Sequence, residues 1–321
     1  MNDAGGLPSA TRPPERARAG GRSTTIGILL NRSFRYWSLL PAVLLFAALT
    51  LYPLLNLVRM SVSTVAFANG AEVWSFTPLR NFQALVDDDV VRPAVVNTLI
   101  FVAVSVAVEM ILGIALAIAV AGLSRAKRLV RTVAILPILV PPVAIGSMWK
   151  LMYNYDFGIF NQALVALGAM PVNWLGSTSV ALWSVIAVDV WHWVPFVFLI
   201  LFAAVEGIPP DLLEAAHVDG ATRRQTVRLV VLPLLRPAIV VAFLFRAILA
   251  FKVFDEVFLL TAGGPGTSTE LVNLHLYKVF FEQNRLGYGA VLSLAVIAAI
   301  VAFLLVSRRV ALATRAEAPR S

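Results

Sequence analysis

Six stretches of the chain are apolar for long enough to cross a bilayer, which takes about 20 residues of helix. The cleanest, Tyr36 to Val58, runs 23 residues without a charge. Pro93 to Ser124 holds one charge, Glu109, in 32 residues. Thr132 to Trp149 gives 18 uncharged residues, interrupted by Pro137, Pro141 and Pro142. Val180 to Val205 contains Asp189 and His192, and Ala238 to Leu260 contains Arg246, Lys252, Asp255 and Glu256. Leu286 to Ser307 is again uncharged. The pattern predicts an all-α integral membrane protein with six transmembrane helices. The first run exceeds the apolar core of a signal peptide, about 7–15 residues, and no small-residue cleavage site follows it, so it is expected to be retained.

Composition fits that pattern. Of 321 residues, 59% are hydrophobic and 14% charged, with a mean hydropathy of +0.83. Globular proteins carry about 25% charged residues. Lys and Arg number 26 against 18 acids, giving +8. In a membrane chain this excess marks loops on the cytoplasmic side and not nucleic-acid binding. With the N-terminus inside, the inner segments hold 18 of these cations and the outer ones six. Both termini are therefore expected in the cytoplasm, in a plasma-membrane protein. The organisation so read is a basic, disordered tail (1–35), the first span (36–58) and an extracytoplasmic loop (59–92). A core (93–309) follows with five spans and a cytoplasmic loop at 207–237, and then a cytoplasmic tail (310–321). Cysteine is absent, and the three histidines, His192, His217 and His275, are scattered. No disulfide, thiol nucleophile or metal site is expected, and no catalytic constellation is visible.

The 207–237 loop reads GIPPDLLEAAHVDGATRRQTVRLVVLPLLRP. Pro210 suits a first helical turn, and Asp211 and Glu214 favour the positive end of the helix dipole. Gly220 suits a left-handed C-terminal cap. Thr222 and Gln225 form a capping-box signature that restarts the helix. Pro233 and Pro237 are expected to separate it from the fifth span. Leu212, Leu213, Ala215 and Ala216 give the first helix an apolar ridge beside Glu214. One reading is a helix that docks into a partner's groove. The other is an amphipathic helix on the lipid surface, which usually carries more Lys or Arg.

Glu214-Ala215-Ala216, three residues, Gly220, nine residues, Val230, one residue, Leu232-Pro233 resembles the EAA loop of ABC-importer permeases, with only the Ile position changed to Val230. Asp219 and Ala221 match as well. The family resemblance implies a type I permease fold. It also implies that this loop is a coupling helix seated in the cleft of a separate ATP-binding subunit. Phe251-Lys252, Phe254-Asp255, Leu260 to Pro265, Ser268-Thr269-Glu270 and Tyr277 are similar to carbohydrate-uptake permeases of the maltose permease F / sugar permease A family. The resemblance implies a second permease subunit, two ATP-binding subunits and an extracytoplasmic solute-binding protein as partners. ATP and Mg would be used by the ATPase, with no cofactor on this chain. Alternatives are an ABC importer for another solute class, or a proton-coupled secondary transporter relaying through Glu109 and Asp189.

Charges inside spans are functional candidates because each costs at least about 2.5 kcal/mol to place there. Glu109 and Arg246 either line a polar path for a hydroxyl-rich solute or form an interhelical ion pair. The pair is the simpler reading. Asp189 and His192 could line the path beside Trp183 and Trp191, while Trp193 is read as an interface anchor. Lys252 with Asp255 or Glu256, at i+3 and i+4, predicts a local network on one helical face. Gly263, Gly264 and Gly266 lack the Lys of a phosphate-binding loop and read as a turn closing the fifth span.

Overall fold

The computed structural model describes residues 25–68, 71–123 and 126–316. The chain divides into two units, 1–55 and 56–321. Most of helix α1, Thr25–Ser61, belongs to the first, and it contains Pro41 and Pro53. This helix begins eleven residues before Tyr36, inside the segment read as a tail; residues 1–24 lie outside the described residues. Its added turns, TIGILLNRSFR, contain no proline, so no missing amide donor stops the helix there.

The second unit opens with an antiparallel hairpin, β1 (Ser63–Ala68) and β2 (Ala71–Phe76), pairing Val65 with Trp74. A short helix α2 (Arg80–Asp87) follows, and Asn81 ties it back by donating to the Ser61 and Ser63 carbonyls at 3.0 and 2.9 Å. Among the described residues, four long apolar helices and a series of shorter pieces then build the bundle. They are α3 (Val91–Ala121), α4 (Lys127–Ile135), α5 (Pro142–Met152), α6 (Ile159–Ala166), α7 (Ala181–Glu206), α8 (Pro210–Val218), α9 (Arg223–Thr226), α10 (Leu232–Phe251), α11 (Asp255–Leu260), α12 (Val272–Tyr277) and α13 (Leu286–Ala316).

The core lies between α3, α5, α7, α10 and α11, with Phe101, Val106, Ile145, Val185, Phe198, Leu201 and Val257 at its centre. Gly113 lets α3 and α7 meet closely, since a Cβ there would stand 2.8 Å from Val197 Cβ. Gly146 does the same for α5 against Leu259 of α11.

The third span is interrupted among its prolines, where α4 and the 3₁₀ turn Leu136–Leu139 meet α5 at 95°, and both ends of the fifth span need correction. The break falls at Pro141 and Pro142, where two amide donors are missing and the residue before each proline is held extended. The fifth span does not begin at Ala238. Arg223 to Phe251 is continuously helical, through a π segment at Val227–Val231. Pro233 follows directly on the π segment, whose altered hydrogen bonding accommodates its missing N–H, and Pro237 is carried further inside the helix. That span also stops at Phe251, and α11 is a separate helix after a break at 252–254. At the C-terminal end, α13 extends past residue 309 to Ala316, and residues 317–321 lie outside the described residues.

Candidate functional site

The loop between α7 and α10 is built as two helices around one turn. Pro210 starts α8, and Asp211 lies in its first turn. Asp219 closes it, and Gly220 follows with φ +77, a left-handed conformation. Nothing lies within 4 Å of a Cβ built at Gly220, so glycine is required there by backbone conformation and not by space. The Thr222 hydroxyl accepts from the Gln225 N–H, and the Gln225 side chain accepts from the Thr222 N–H at 2.8 Å. Both halves of the capping box are present. Glu214 and Ala215 are exposed and Ala216 is half-buried, while Leu212, Leu213 and Val218 are exposed apolar residues. Beneath α8 opens a hollow of about 1010 Å³, bordered by Ile118, Glu206, Leu213, Glu214, Arg223 and Val227. Leu232 and Pro233, half-buried, connect this loop into α10. Lys127 at the start of α4 binds Glu206 at the end of α7 at 2.7 Å, bracing the same end of the bundle.

Within the bundle, the structure joins Glu109 of α3, Asp189 of α7 and Arg246 of α10. All three are buried. Arg246 Nη2 donates to Glu109 Oε1 at 2.8 Å and also binds the Asp189 carboxylate. The expected Glu109–Arg246 pair is present, but it is a triad, with one guanidinium between two acids. His192, one turn beyond Asp189, bonds Glu256 of α11 through Nδ1 at 2.9 Å. Trp193 is not simply an interface anchor: Arg246 lies over its ring at 5.2 Å. The network expected for Lys252 does not form. Lys252 and Asp255 are exposed and make no ion pair among the described residues, and Glu256 is turned to His192. The break at 252–254 removes the helical face that the i+3, i+4 spacing presupposed.

A second cluster escaped the sequence reading. His275 of α12 lies between two acids: its Nε2 is 3.0 Å from Asp88 Oδ2, and its Nδ1 is 3.7 Å from Glu270 Oε1. Glu270 also receives Lys278 Nζ at 2.7 Å, and Asp88 accepts from the Tyr288 hydroxyl at 2.6 Å. For Asp88, burial raises the pKa, but hydrogen bonds from Tyr288, Val90 and His275 outweigh it and hold the carboxyl below its usual range. For Glu270, burial is outweighed by His275 and Lys278. Burial alone would lower His275, but bonds to Glu270 and Asp88 raise it. The loop carrying Glu270 turns tightly, with Gly263 at φ +91 and Gly266 at φ +60. A Cβ at Gly263 would collide with the Glu270 carboxylate, so this glycine is needed for space as well. Glu270 stood in the quoted motif and His275 stood alone in the sequence. Their meeting with Asp88 spans 187 residues, and no local spacing signals it.

Residues 89–316 match the profile of the binding-protein-dependent transport system inner membrane component family, and the chain belongs to that family. It is a permease of an ABC importer with the type I fold, which removes the secondary-transporter alternative. Among its relatives is the trehalose/maltose transport system permease protein MalF of Thermococcus litoralis, 35% identical over 235 residues, covering 73% of this chain and 79% of the relative. The trehalose transport system permease protein SugA of Mycobacterium tuberculosis is 30% identical over 298 residues, covering 92% and 95%. In three dimensions it resembles a chain of a bacterial ABC transporter involved in importing the acidic polysaccharide alginate. That match has a TM-score of 0.75 at 21% identity and covers 89% of this chain and 99% of the other.

Proposed function

We propose that this chain forms one half of the translocation path of an ATP-driven carbohydrate importer. The relatives that are trehalose and maltose permeases support the solute class. The observation that carries the mechanism is the α8–Gly220–α9 turn, an exposed helix held at a fixed angle and continuous through α9 with the fifth span. In this reading α8, with Glu214, Ala215 and Ala216, docks into a separate ATP-binding subunit that uses ATP and Mg. Closure of the ATPases moves α8, and α9–α10 carries that movement into the bundle. A second permease supplies the other half of the path, two ATP-binding subunits drive it, and an extracytoplasmic protein delivers solute. Both termini and the 207–237 loop face the cytoplasm, in keeping with 18 inner cations against six outer ones. The Glu109–Arg246–Asp189 triad fastens three helices so that they move as a block.

Glu214→Lys and Gly220→Val test this reading in the reconstituted importer. Glu214→Lys reverses the charge offered to the ATPase. Gly220→Val forces a β-branched residue into a left-handed conformation, at a cost of about 1–2 kcal/mol or more. Neither residue lies in a span, so membrane insertion is retained. Both variants lose solute-stimulated ATP hydrolysis, while solute binding by the isolated binding protein is unchanged. Wild-type uptake and stimulation in both would refute the docking role.

A further inference from the structure

The cluster around His275 has no part in the transport mechanism proposed above, yet it ties several separate segments together at one end of the bundle. Asp88 closes α2, and its Oδ1 accepts the Val90 N–H at 2.9 Å just ahead of α3. Glu270 ends the tight loop after α11, and its backbone carbonyl accepts from Asn97 Nδ2 of α3 at 3.1 Å. His275 belongs to α12, Lys278 to the π turn Lys278–Glu282 behind it, and Tyr288 to the first turn of α13. The loop is pinned along its length as well. Asn97 donates to the Thr267 carbonyl at 2.8 Å, the Thr98 hydroxyl accepts the Val272 N–H at 3.0 Å, and Lys278 Nζ donates to the Ala262 carbonyl at 2.8 Å.

Both nitrogens of the His275 ring face carboxylates, Nε2 toward Asp88 at hydrogen-bond distance and Nδ1 toward Glu270 at ion-pair distance. A neutral imidazole carries one N–H and one lone pair, and would turn the lone pair on one of the two acids. The imidazolium, with two N–H groups, suits both. Charge leads to the same state. Asp88 and Glu270 bring two negative charges and Lys278 one positive, so the sum reaches zero only with a proton on His275, a residue 5% exposed. The remaining groups do not replace that proton. Tyr288 gives Asp88 a neutral hydroxyl, and Arg285 lies over the Tyr288 ring at 4.5 Å. Asp87, Asp89 and Arg92 near Asp88, and Glu282 on the π turn, are exposed and make no ion pair with the cluster among the described residues.

We propose that His275 is a proton-operated clasp: one proton held between Asp88 and Glu270 keeps the 262–277 segment on the ends of α3 and α13, and its release loosens that segment. Since the two acids pull the ring's affinity for its proton up, the clasp is closed below the ordinary imidazole value of about 6.5 and opens as pH rises through the raised one. Asp88 and Glu270, held low, stay ionised across that window. The 262–287 loop is an outer one in the topology proposed above, so the proton comes from the extracytoplasmic side. That sidedness rests on the topology; the clasp itself does not, nor does it depend on the solute.

The test is hydrogen exchange of the full chain in lipid nanodiscs between about pH 6 and 9, read as protection of the 264–277 amides after correction for the intrinsic pH dependence of exchange. Wild-type protection is expected to hold up to about pH 6.5 and then fall by up to about tenfold per pH unit, the slope of one released proton, while the α3–α7 core stays protected throughout. His275→Gln offers one N–H and one carbonyl, as the neutral ring does, and should show the low alkaline protection at every pH. Glu270→Gln removes one of the two acids and should move the fall to lower pH; it decides with the wild type if His275→Gln does not fold. Protection in wild type that ignores pH, or a fall of wild-type size in His275→Gln, overturns the clasp. For sidedness, Thr267→Cys gives the exposed loop the chain's single cysteine, which should react with a membrane-impermeant thiol reagent in sealed cells. Absence of labelling overturns the extracytoplasmic source of the proton and the topology with it, while the exchange result still judges the clasp.

Discussion

Removing Arg246 should damage the protein far more than removing Glu109, although the two are bonded to each other. Arg246 is the single cation between two carboxylates, and none of the three reaches solvent. Arg246→Leu strands both acids. Breaking a buried pair by removing one partner costs about 3–5 kcal/mol, and here two acids lose the same cation. That is a large share of a typical stability of about 5–15 kcal/mol. Glu109→Leu leaves Arg246 on Asp189, a balanced pair. Its loss is that of one charge-assisted hydrogen bond, about 1.5–3 kcal/mol, partly offset because the surplus negative charge disappears. Replacing Glu109, Asp189 and Arg246 together with Leu should return stability close to wild type, since apolar substitution of a whole buried ionic group is often neutral or better. The assay is the fraction of detergent-solubilised protein remaining monodisperse across a heating series, together with its abundance in membranes. The expected order of stability is triple variant and wild type, then Glu109→Leu, then Arg246→Leu. If Glu109→Leu were as harmful as Arg246→Leu, Asp189 would not be sharing the guanidinium, and the triad would be wrong.

Three further outcomes follow from other parts of the molecule. Because His275 is raised by Asp88 and Glu270, its contribution is complete below the ordinary imidazole value of about 6.5 and is lost as pH rises through the raised one. Asp88 and Glu270 are lowered, so their contribution is complete above the ordinary carboxylate range and is lost in acid. Thermal stability should therefore fall on the alkaline side in wild type, and His275→Gln should flatten that limb while leaving the acid limb; an unchanged alkaline limb would remove His275 from the cluster's titration. Gly113→Val should cost about 1–3 kcal/mol by forcing α3 from Val197, read as a lowered thermal midpoint, and a wild-type midpoint would show that the α3–α7 contact is loose. Reporter fusions after Ser307 should be active only with a cytoplasmic reporter, and those within 150–177 only with an exported one; the reverse at either site would invert the topology.

Hydropathy located the membrane helices because their length is set by the bilayer and their composition by the lack of water within it. The α8 turn was legible for a different reason. A left-handed glycine and a capping box are local, and both depend on residues only a few positions apart. What the sequence could not convey were meetings across long separations, such as Asp189 with Arg246, His192 with Glu256, and His275 with Asp88. Helical spacing also misled where a helix ended unseen. Lys252 and Glu256 are four apart, but the break at 252–254 directs Glu256 toward α7 and leaves Lys252 outside. Proline was read too strongly at Pro233, which the helix carries next to its π segment, while at Pro141–Pro142 the interruption turns a span through 95°.

The helical continuity from Arg223 to Phe251 makes this stretch a lever with a known arm. Arg246 is 23 residues from Arg223, so the ionic knot stands about 35 Å along the rod from its free end. With the knot as pivot, a displacement of about 3 Å at Arg223 needs a tilt of only about 5° at the core, for a rod rising about 1.5 Å per residue. Side-chain packing can absorb a rotation of that size without losing its contacts. A stroke delivered at the loop is thus geared down before it reaches the buried charges, and the five-residue π segment at Val227–Val231 is where the arm is softest. Deleting one residue from that segment to restore α-helical winding would stiffen the arm while leaving α8 pointing nearly the same way, because a π turn holds one more residue in almost the same rotation. The five residues set the leverage the loop commands without setting its direction.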